Sequence, residues 1–506
     1  MKIYQCSIAL LGAIITVVVT SMDSNEKQTI RARDEFVSFS QGLGVPSSEI
    51  ETLGNRLAST DTAGGVLNIG CLLAKSKLGG AVDVRPLNQT VVDENWSQTC
   101  IFEPFCIIQP KNAEEVSIVL RIINFFRLKF SIRSGGHSPN PGWSSVGEHG
   151  ILLDLGRLNS VSVSSDAKFA SIGPAARWGD VYAALDPHRL VVLGGRVPGV
   201  GVGGLLLGGG YFHLPTWGFA ADTVKNFEVV TSDGKILNAN SEENQDLFWA
   251  LRWRRQLRCH KVDDLIDAFY NWQQNGASDA NSNVALNIGI DTIALMLIYG
   301  KPLERPPDVF SHFFDIEPLA AAVPGSNLTF NVINQLVAAT ISSTPARHDY
   351  RGYSSRPDAE LFKEVYRFWL AKAIDVRNAT GANQTFVVQH VSEHMIQRGI
   401  DAGGNSMGIP PGAQQWWTTL VDWEKEADDD LARSVAIDTT KEWESLGQAR
   451  GLNLSYIYAN DAARDQNPLA TRDTETLDRL TQVSKKYDPS QMFQKLQNDG
   501  FLLSRA

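Results

Sequence analysis

At 506 residues, with 43% hydrophobic and 20% charged side chains, the chain is long enough for two or three domains and too apolar for a disordered one. A net charge of −10 excludes a general nucleic-acid binder, which needs a basic face. Beyond the first 21 residues no apolar run is long enough to cross a bilayer.

Met1–Ser21 reads as a secretory signal. Lys2 supplies the positive start, Cys6–Val19 the apolar run, and Val19-Thr20-Ser21 small residues for cleavage. The run is short for a bilayer span, and an N-terminal membrane anchor is the alternative. Export to the extracellular space fits six N-x-[ST] sequons, at Asn88, Asn95, Asn327, Asn378, Asn383 and Asn453. Cys6 would leave with the signal, and Cys71, Cys100, Cys106 and Cys259 remain. An oxidising compartment calls for at least one disulfide, expected between Cys71 and Cys106, with Cys100 and Cys259 unassigned.

Residues 22–101 form an N-terminal region, mixed and polar over Asp23–Asn95, with helices expected at Ile50–Leu57 and Ile69–Lys75. Gln109-Pro110 opens the next unit. Asn112 and Glu115 can cap a helix whose Val116, Val119, Leu120 and Ile123 share one face. Then comes KFSIRSGGHS, Lys129–Ser138. Phe130 and Ile132 mark a buried strand. Gly135 and Gly136 let the chain turn and bring backbone amides close to a ligand, a concavity that suits phosphate. Arg133 adds charge. His137 ends this cradle, where a ring nitrogen can reach a bound cofactor. An isolated G-G-H is ordinarily a tight turn with a surface histidine, so the case for a cofactor site rests on the glycine-rich stretch downstream.

Strands are expected at Ile151–Leu155, Val161–Val163, Ala170–Ile172 and Leu190–Leu193, with a helix at Trp178–Leu185. Residues 194–212 read GGRVPGVGVGGLLLGGGYF. Gly199 to Gly204 formally satisfies G-x-G-x-x-G, and Asp222 lies at a distance that suits a ribose contact, which would mean a nicotinamide cofactor on a Rossmann unit. Gly208-Gly209-Gly210 would break that unit's helix, so an extended ribbon laid along a dinucleotide is the better reading. A glycine hairpin without ligand is the bland one. Asp233-Gly234 predicts a hairpin between Phe227–Thr231 and Lys235–Leu237, and Asp246–Arg252 a short helix. Residues 262–445 mix strands (Ala285–Ile290, Ile293–Tyr299) with long polar helices (Asp358–Ile374, Gln415–Glu444). Leu454–Ala459 returns to strand character, and Leu477–Lys485 to helix. His390-Val391-Ser392-Glu393-His394 spells H-x-x-E-H, a zinc-peptidase pattern if both histidines share a helical face. No third ligand stands out, and a solvated or interface histidine pair is the simpler reading.

Four stretches, IRSGGHS, WGDVYAALDPHRLVVLGGRVPGVGVGGLLLGGGY, WGFAADTVKNFEVVTSDG and DLFWAL, resemble the PCMH-type FAD-linked oxidases of the vanillyl-alcohol-oxidase superfamily. The tail YIYANDA…YDPSQMFQKLQNDGF is similar to the C-terminal segment of berberine-bridge enzymes. The resemblance covers Cys71–Arg252 and Leu454–Leu503. It implies an α+β fold: an FAD-binding domain over 102–257, an inserted α+β substrate domain over 258–445, and a C-terminal segment, 446–506, packing back on the FAD side. It implies FAD as cofactor and no metal. Arg133, Ser134, Gly135, Gly136, Ser138, Gly142, Pro198, Gly199, Val200, Gly201, Gly203 and Gly204 would line it, and His137 would bond covalently to its 8-methyl carbon. Many relatives carry a second tether, a cysteine where this chain has Val197, so a single link is expected. By the same resemblance Asn460 would contact the isoalloxazine and Tyr458 would be the catalytic base, with Tyr456 its rival.

The implied reaction is oxidation of an alcohol or C–H bond of a small molecule. Hydride passes to the flavin, a base takes a proton, and dioxygen reoxidises the flavin. Relatives oxidise sugars, alkaloids and phenolics, and the fold does not choose among them. No nucleic acid or membrane partner is implied. The match breaks at Trp253–His260, WRRQLRCH, where a few dozen residues are missing. A deletion or misread splice junction explains this, and a genuine basic loop is the alternative. A non-catalytic FAD-fold scaffold is therefore the rival function.

Overall fold

The computed structural model describes residues 7–10, 13–16, 24–60, 62–251, 258–259, 262–316, 326–339, 344, 346–401, 404 and 406–506. Most of the candidate signal Met1–Ser21, and Trp253–Leu257 and His260 of the departure, lie outside them.

A first sheet runs Val82–Val84, Cys106–Ile108, Gly150–Asp154, Lys129–Arg133 in spatial order. The last three strands are parallel, and Val82–Val84 is antiparallel to its neighbour. Helix Ala113–Phe126 makes the crossover; Asn112 caps it through the Glu115 amide at 2.9 Å, as the sequence predicts. Its apolar face buries Val119, Leu120, Ile122 and Ile123 against Phe130, Ile151 and Leu153. Helices Ser47–Ala58 and Ala63–Leu78 pack into the same core. The expected disulfide joins Cys71 to Cys106. Replacing both cysteines with alanine frees a loop closed across 35 residues. That should cost about 3–4 kcal/mol, read from denaturant unfolding.

The last residues of the chain return to this sheet. Phe130 N–H donates to Leu496 O at 3.1 Å, and Asn498 N–H donates to Phe130 O at 2.7 Å. The C-terminal segment thus covers the edge beside the strand that leads into the Gly-Gly-His loop.

A second sheet runs Arg258–Cys259, Ser282–Gly289, Asn383–Val391, Gln414–Trp423, Arg347–Ser355, with Ile293–Tyr299 also pairing with Ser282–Gly289. Helices Val262–Gln274, Ala359–Thr380 and Asp429–Ala449 supply the core that packs on one face. Strand alternation sorts the side chains. Trp417, Val421 and Trp423 meet the helices, while Trp416 joins Tyr456 and Tyr458 on the other face.

Several expected elements differ. Residues 415–423 are strand rather than helix, because Trp, Thr and Val suit a sheet buried on both faces; the helix begins at Asp429. Leu190–Leu193 and Leu454–Ala459 form no strand. Among the described residues between 102 and 251 the remaining strands are two separate antiparallel pairs, Val161–Val163 with Ala170–Ile172, and Asn226–Val230 with Ile236–Asn240. Of the sequon asparagines, Asn95 is 6% exposed; its amide donates to Cys100 O and its carbonyl accepts from Ser144, so no glycan fits there. No described helix is long and apolar enough to cross a membrane.

Candidate functional site

The strand Lys129–Arg133 delivers Arg133 opposite Asp154 in the parallel ladder. Their side chains pair at 2.6 Å, each 1% exposed. A second guanidinium nitrogen donates to Val91 O at 2.6 Å. The charge is thus balanced beneath the loop, and Nη1 is left buried without a partner among the described residues. Arg133 Cδ lies 3.2 Å from where a Cβ on Gly136 would be.

The chain turns at Gly136, φ 62°. Gly135 then meets the glycine ribbon backbone to backbone. A Cβ on Gly135 would lie 2.4 Å from Gly201 Cα, and one on Gly201 would lie 2.5 Å from Gly135 N. Arg177 staples the two loops: its Nη1 donates to Gly135 O at 2.9 Å and to Gly199 O at 2.6 Å, and its Nη2 pairs with Glu94 at 3.2 Å. Ser134 Oγ donates to Pro174 O at 2.6 Å and lies 3.1 Å from a Cβ built on Gly203.

Val200 N–H closes a turn onto Val197 O at 3.2 Å, looping out Pro198 and Gly199. The ribbon then makes one short helix, Val202–Leu207, stopped at Gly208. A nicotinamide-type Rossmann unit would need a strand before the glycines and a sustained helix after them, and neither is present. Asp222 instead accepts the Phe219 amide at 3.1 Å.

His137 stands at the near end of the ribbon, half-buried. Its ring stacks on Trp96 at 4.2 Å and 11°. Its Cδ2–Nε2 edge faces Gly199, 3.7–3.8 Å from a Cβ built there. At the far end, a Cβ on Gly208 would fall within 2.2 Å of the Asn460 amide group. Asn460 Nδ2 donates to Leu205 O at 3.3 Å and to Tyr458 Oη at 3.0 Å, and Tyr458 Oη donates to Gly208 O at 3.2 Å. Tyr456 and Tyr458 both stack on Trp416, at 5.2 and 4.9 Å. The ribbon therefore carries His137 at one end and the Tyr458–Asn460 pair at the other.

Of the remaining expected residues, Ser138 O accepts from the buried Cys100 thiol at 3.3 Å. Gly142 stands off from the cradle, its carbonyl accepting from Ser131 and Asn498. Gly204 is exposed with open space about it. Sequence reasoning missed Arg177, Trp96 and Gly208. Arg177 immediately precedes the Trp-Gly-Asp stretch, which is the one local signal that marked it.

The H-x-x-E-H pattern does not form a helical face. His390 lies on the strand Asn383–Val391, buried against Trp272 and Gln273, while Glu393 and His394 open the next helix, exposed. Burial pushes His390 down to about 3, and burial with the nearby Arg196 charge does the same to His213. Both are neutral when folded, whereas the unfolded imidazoles take a proton below about 6.5. The unfolded state thus binds more protons between these values, and stability falls as pH drops through 6.5 towards 3. Each histidine should cost about 2 kcal/mol by about pH 5. Urea midpoints across this range measure the loss, and His390→Asn should flatten the slope.

A family model described as an FAD binding domain matches residues 104–240. An FAD-dependent monooxygenase of Arthrobotrys oligospora is 34% identical over 438 residues, covering 81% of this chain and 84% of that protein. Among solved structures, a xylooligosaccharide oxidase of Myceliophthora thermophila C1 has a TM-score of 0.67 at 18% identity, covering 85% of this chain and 98% of that one. Glucooligosaccharide oxidase of Acremonium strictum, described with a 6-S-cysteinyl, 8α-N1-histidyl FAD, has a TM-score of 0.65 at 18% identity, covering 84% and 97%.

Proposed function

The chain belongs to the PCMH-type FAD-linked oxidoreductases of the vanillyl-alcohol-oxidase superfamily, with the berberine-bridge-like proteins and the fungal FAD-dependent monooxygenases, and from that premise we propose that it is a secreted oxidase tethered to FAD through His137 alone. The observation that carries this reading is the contact of two glycine loops, backbone to backbone, with His137 at their edge. Only glycine permits that approach, and the bare backbone it leaves, with the unpaired Arg133 Nη1 below, suits a pyrophosphate. Val200, Gly201 and Gly203 would lie along it, held by Arg177. Ser134, Ser138 and Pro198 shape the turn on either side.

When bound, FAD accepts two electrons from an alcohol or C–H substrate and passes them to dioxygen. His137 supplies the tether. Its attachment would replace one imidazole N–H and one methyl C–H with an N–C bond, and dioxygen would take up the two electrons and two protons as hydrogen peroxide. Asn460 orients the ring end through its amide, and Tyr458 takes the substrate proton. Residues on the face of the second sheet turned away from its helices, beside Trp416, would line the substrate pocket. The Met1–Ser21 signal pattern, the Cys71–Cys106 disulfide and the exposed sequons at Asn88, Asn327, Asn378 and Asn383 support secretion and glycosylation.

A second reading, a scaffold without redox activity, is favoured by one feature: among the described residues the strands of the FAD half beyond the first sheet form only two separate pairs. One experiment separates the readings. Secreted protein is acid-precipitated, its pellet is tested for yellow colour, and peroxide release is screened over sugars and aromatic alcohols. A yellow pellet and substrate-dependent peroxide support the oxidase, and a colourless protein in excess FAD defeats it.

A further inference from the structure

We propose that Trp96, backed by the His348–Asp422 pair, is a positioning residue that holds the His137 ring for covalent attachment, and that attachment therefore requires the second domain to be docked. The inference rests on the proposed His137 tether. Trp96 is the middle ring of three. His137 stacks on one face at 4.2 Å and 11°, and His348 on the other at 3.8 Å and 4°. His348 Nδ1 lies 2.6 Å from Asp422 Oδ1, its direct cross-strand partner in the second sheet. The plane of His137 is thus set by a stack anchored in the other half of the molecule.

The backbone agrees with the rings. Trp96 N–H donates to Gly136 O at 3.0 Å, Thr99 Oγ1 to Pro139 O at 3.1 Å and Cys100 Sγ to Ser138 O at 3.3 Å. The segment 96–100 therefore grips the histidine loop on both sides of residue 137. That segment is itself pinned to the second sheet. Gln98 N–H donates to Ala346 O at 3.0 Å, and Ser97 Oγ accepts the His348 amide at 2.9 Å. Chain positions 251 residues apart, 97 and 348, are joined here.

An imidazole stacked flat on a fixed indole loses its freedom to swing, and its nitrogen edge stays directed along Gly199. Bond formation to a carbon held by other residues depends on that edge being in place. The stacking and backbone partners of Trp96 belong to the histidine loop and the second sheet, whereas the glycine–glycine approach is held by Arg177. Trp96 should therefore govern attachment rather than binding.

The test uses the full-length protein, stripped of flavin or produced without it, and follows acid-stable flavin after FAD is added. Trp96→Leu should slow attachment by about tenfold or more, and the flat ring of Trp96→Phe should restore it to within about threefold. His348→Leu should fall between them and carries the test if Trp96→Leu does not fold. Non-covalent FAD affinity, measured in a His137→Ala background, should change by less than about twofold on adding Trp96→Leu. Attachment at the wild-type rate in Trp96→Leu and His348→Leu overturns the proposal, as does a loss of affinity equal to the loss of attachment. Wild-type protein that never acquires acid-stable flavin overturns the tether itself, and so separates the two failures.

Discussion

His137→Ala protein should bind FAD but surrender all of it on acid precipitation, leaving a colourless pellet and a yellow supernatant. The expectation comes from how the site divides its labour. The contact of Gly135 with Gly201, the Arg177 staple and the Arg133–Asp154 pair are all independent of the imidazole, so the cradle survives its removal. What disappears is the nucleophile, together with one stacked face of Trp96 worth about 0.5–1.5 kcal/mol of stability. Among the described side chains no neighbouring thiol replaces the bond. Val197 has no nucleophilic atom. Cys100 lies close by, but burial pushes its thiol up to about 11, so the reactive thiolate is scarce at neutral pH. Acid-stable flavin persisting in His137→Ala, or a cysteinyl-flavin peptide in a digest of the wild type, would refute the single tether.

The fold was readable wherever its causes were local. Asn112 caps its helix, KFSIR runs into its glycines, and Asp233-Gly234 turns its hairpin because each depends on residues a few positions apart. The second sheet was not readable in the same way. Gln414–Trp423 is buried on both faces, so it shows no clean alternation, and its polar residues suggested a solvated helix. Arg347–Ser355 carries charges that look exposed in sequence. Asp429 and Arg433 of the neighbouring helix neutralise Arg347 and Asp349. In the site, the glycine loops announced themselves by composition and by family resemblance. Trp96 and Arg177 did not, because their roles exist only once distant segments meet. The H-x-x-E-H motif shows the converse: a local pattern that the fold divides between a strand and a helix.

Tyr458→Phe should slow anaerobic flavin reduction by substrate about 10²–10⁴-fold, the range for a lost general base, while leaving flavin content unchanged. Tyr456→Phe should slow it by less than about tenfold. Both tyrosines are buried and share Trp416 as a stacking platform, so burial does not choose between them. Their hydroxyl surroundings do. Tyr458 Oη reaches the ribbon at Gly208 O and receives the Asn460 amide, which places it at the end of the ribbon opposite His137. Tyr456 lies under the Arg472 guanidinium, 4.8 Å from ring centre to carbon, in the interior between the tail and the second sheet. The ring of Tyr456 is thus engaged by the tail's own arginine, whereas Tyr458 Oη touches the ribbon itself. Arg472 is itself buried, and its pKa is lowered by that burial, with the neighbouring Tyr456 opposing the shift. Its better role is to hold the tail against the platform. Arg472→Met should therefore lower stability in urea more than it lowers the reduction rate. If Tyr458→Phe reduces flavin at the wild-type rate and Tyr456→Phe does not, the base sits beside the arginine instead, and the ribbon end at Gly208 is only packing.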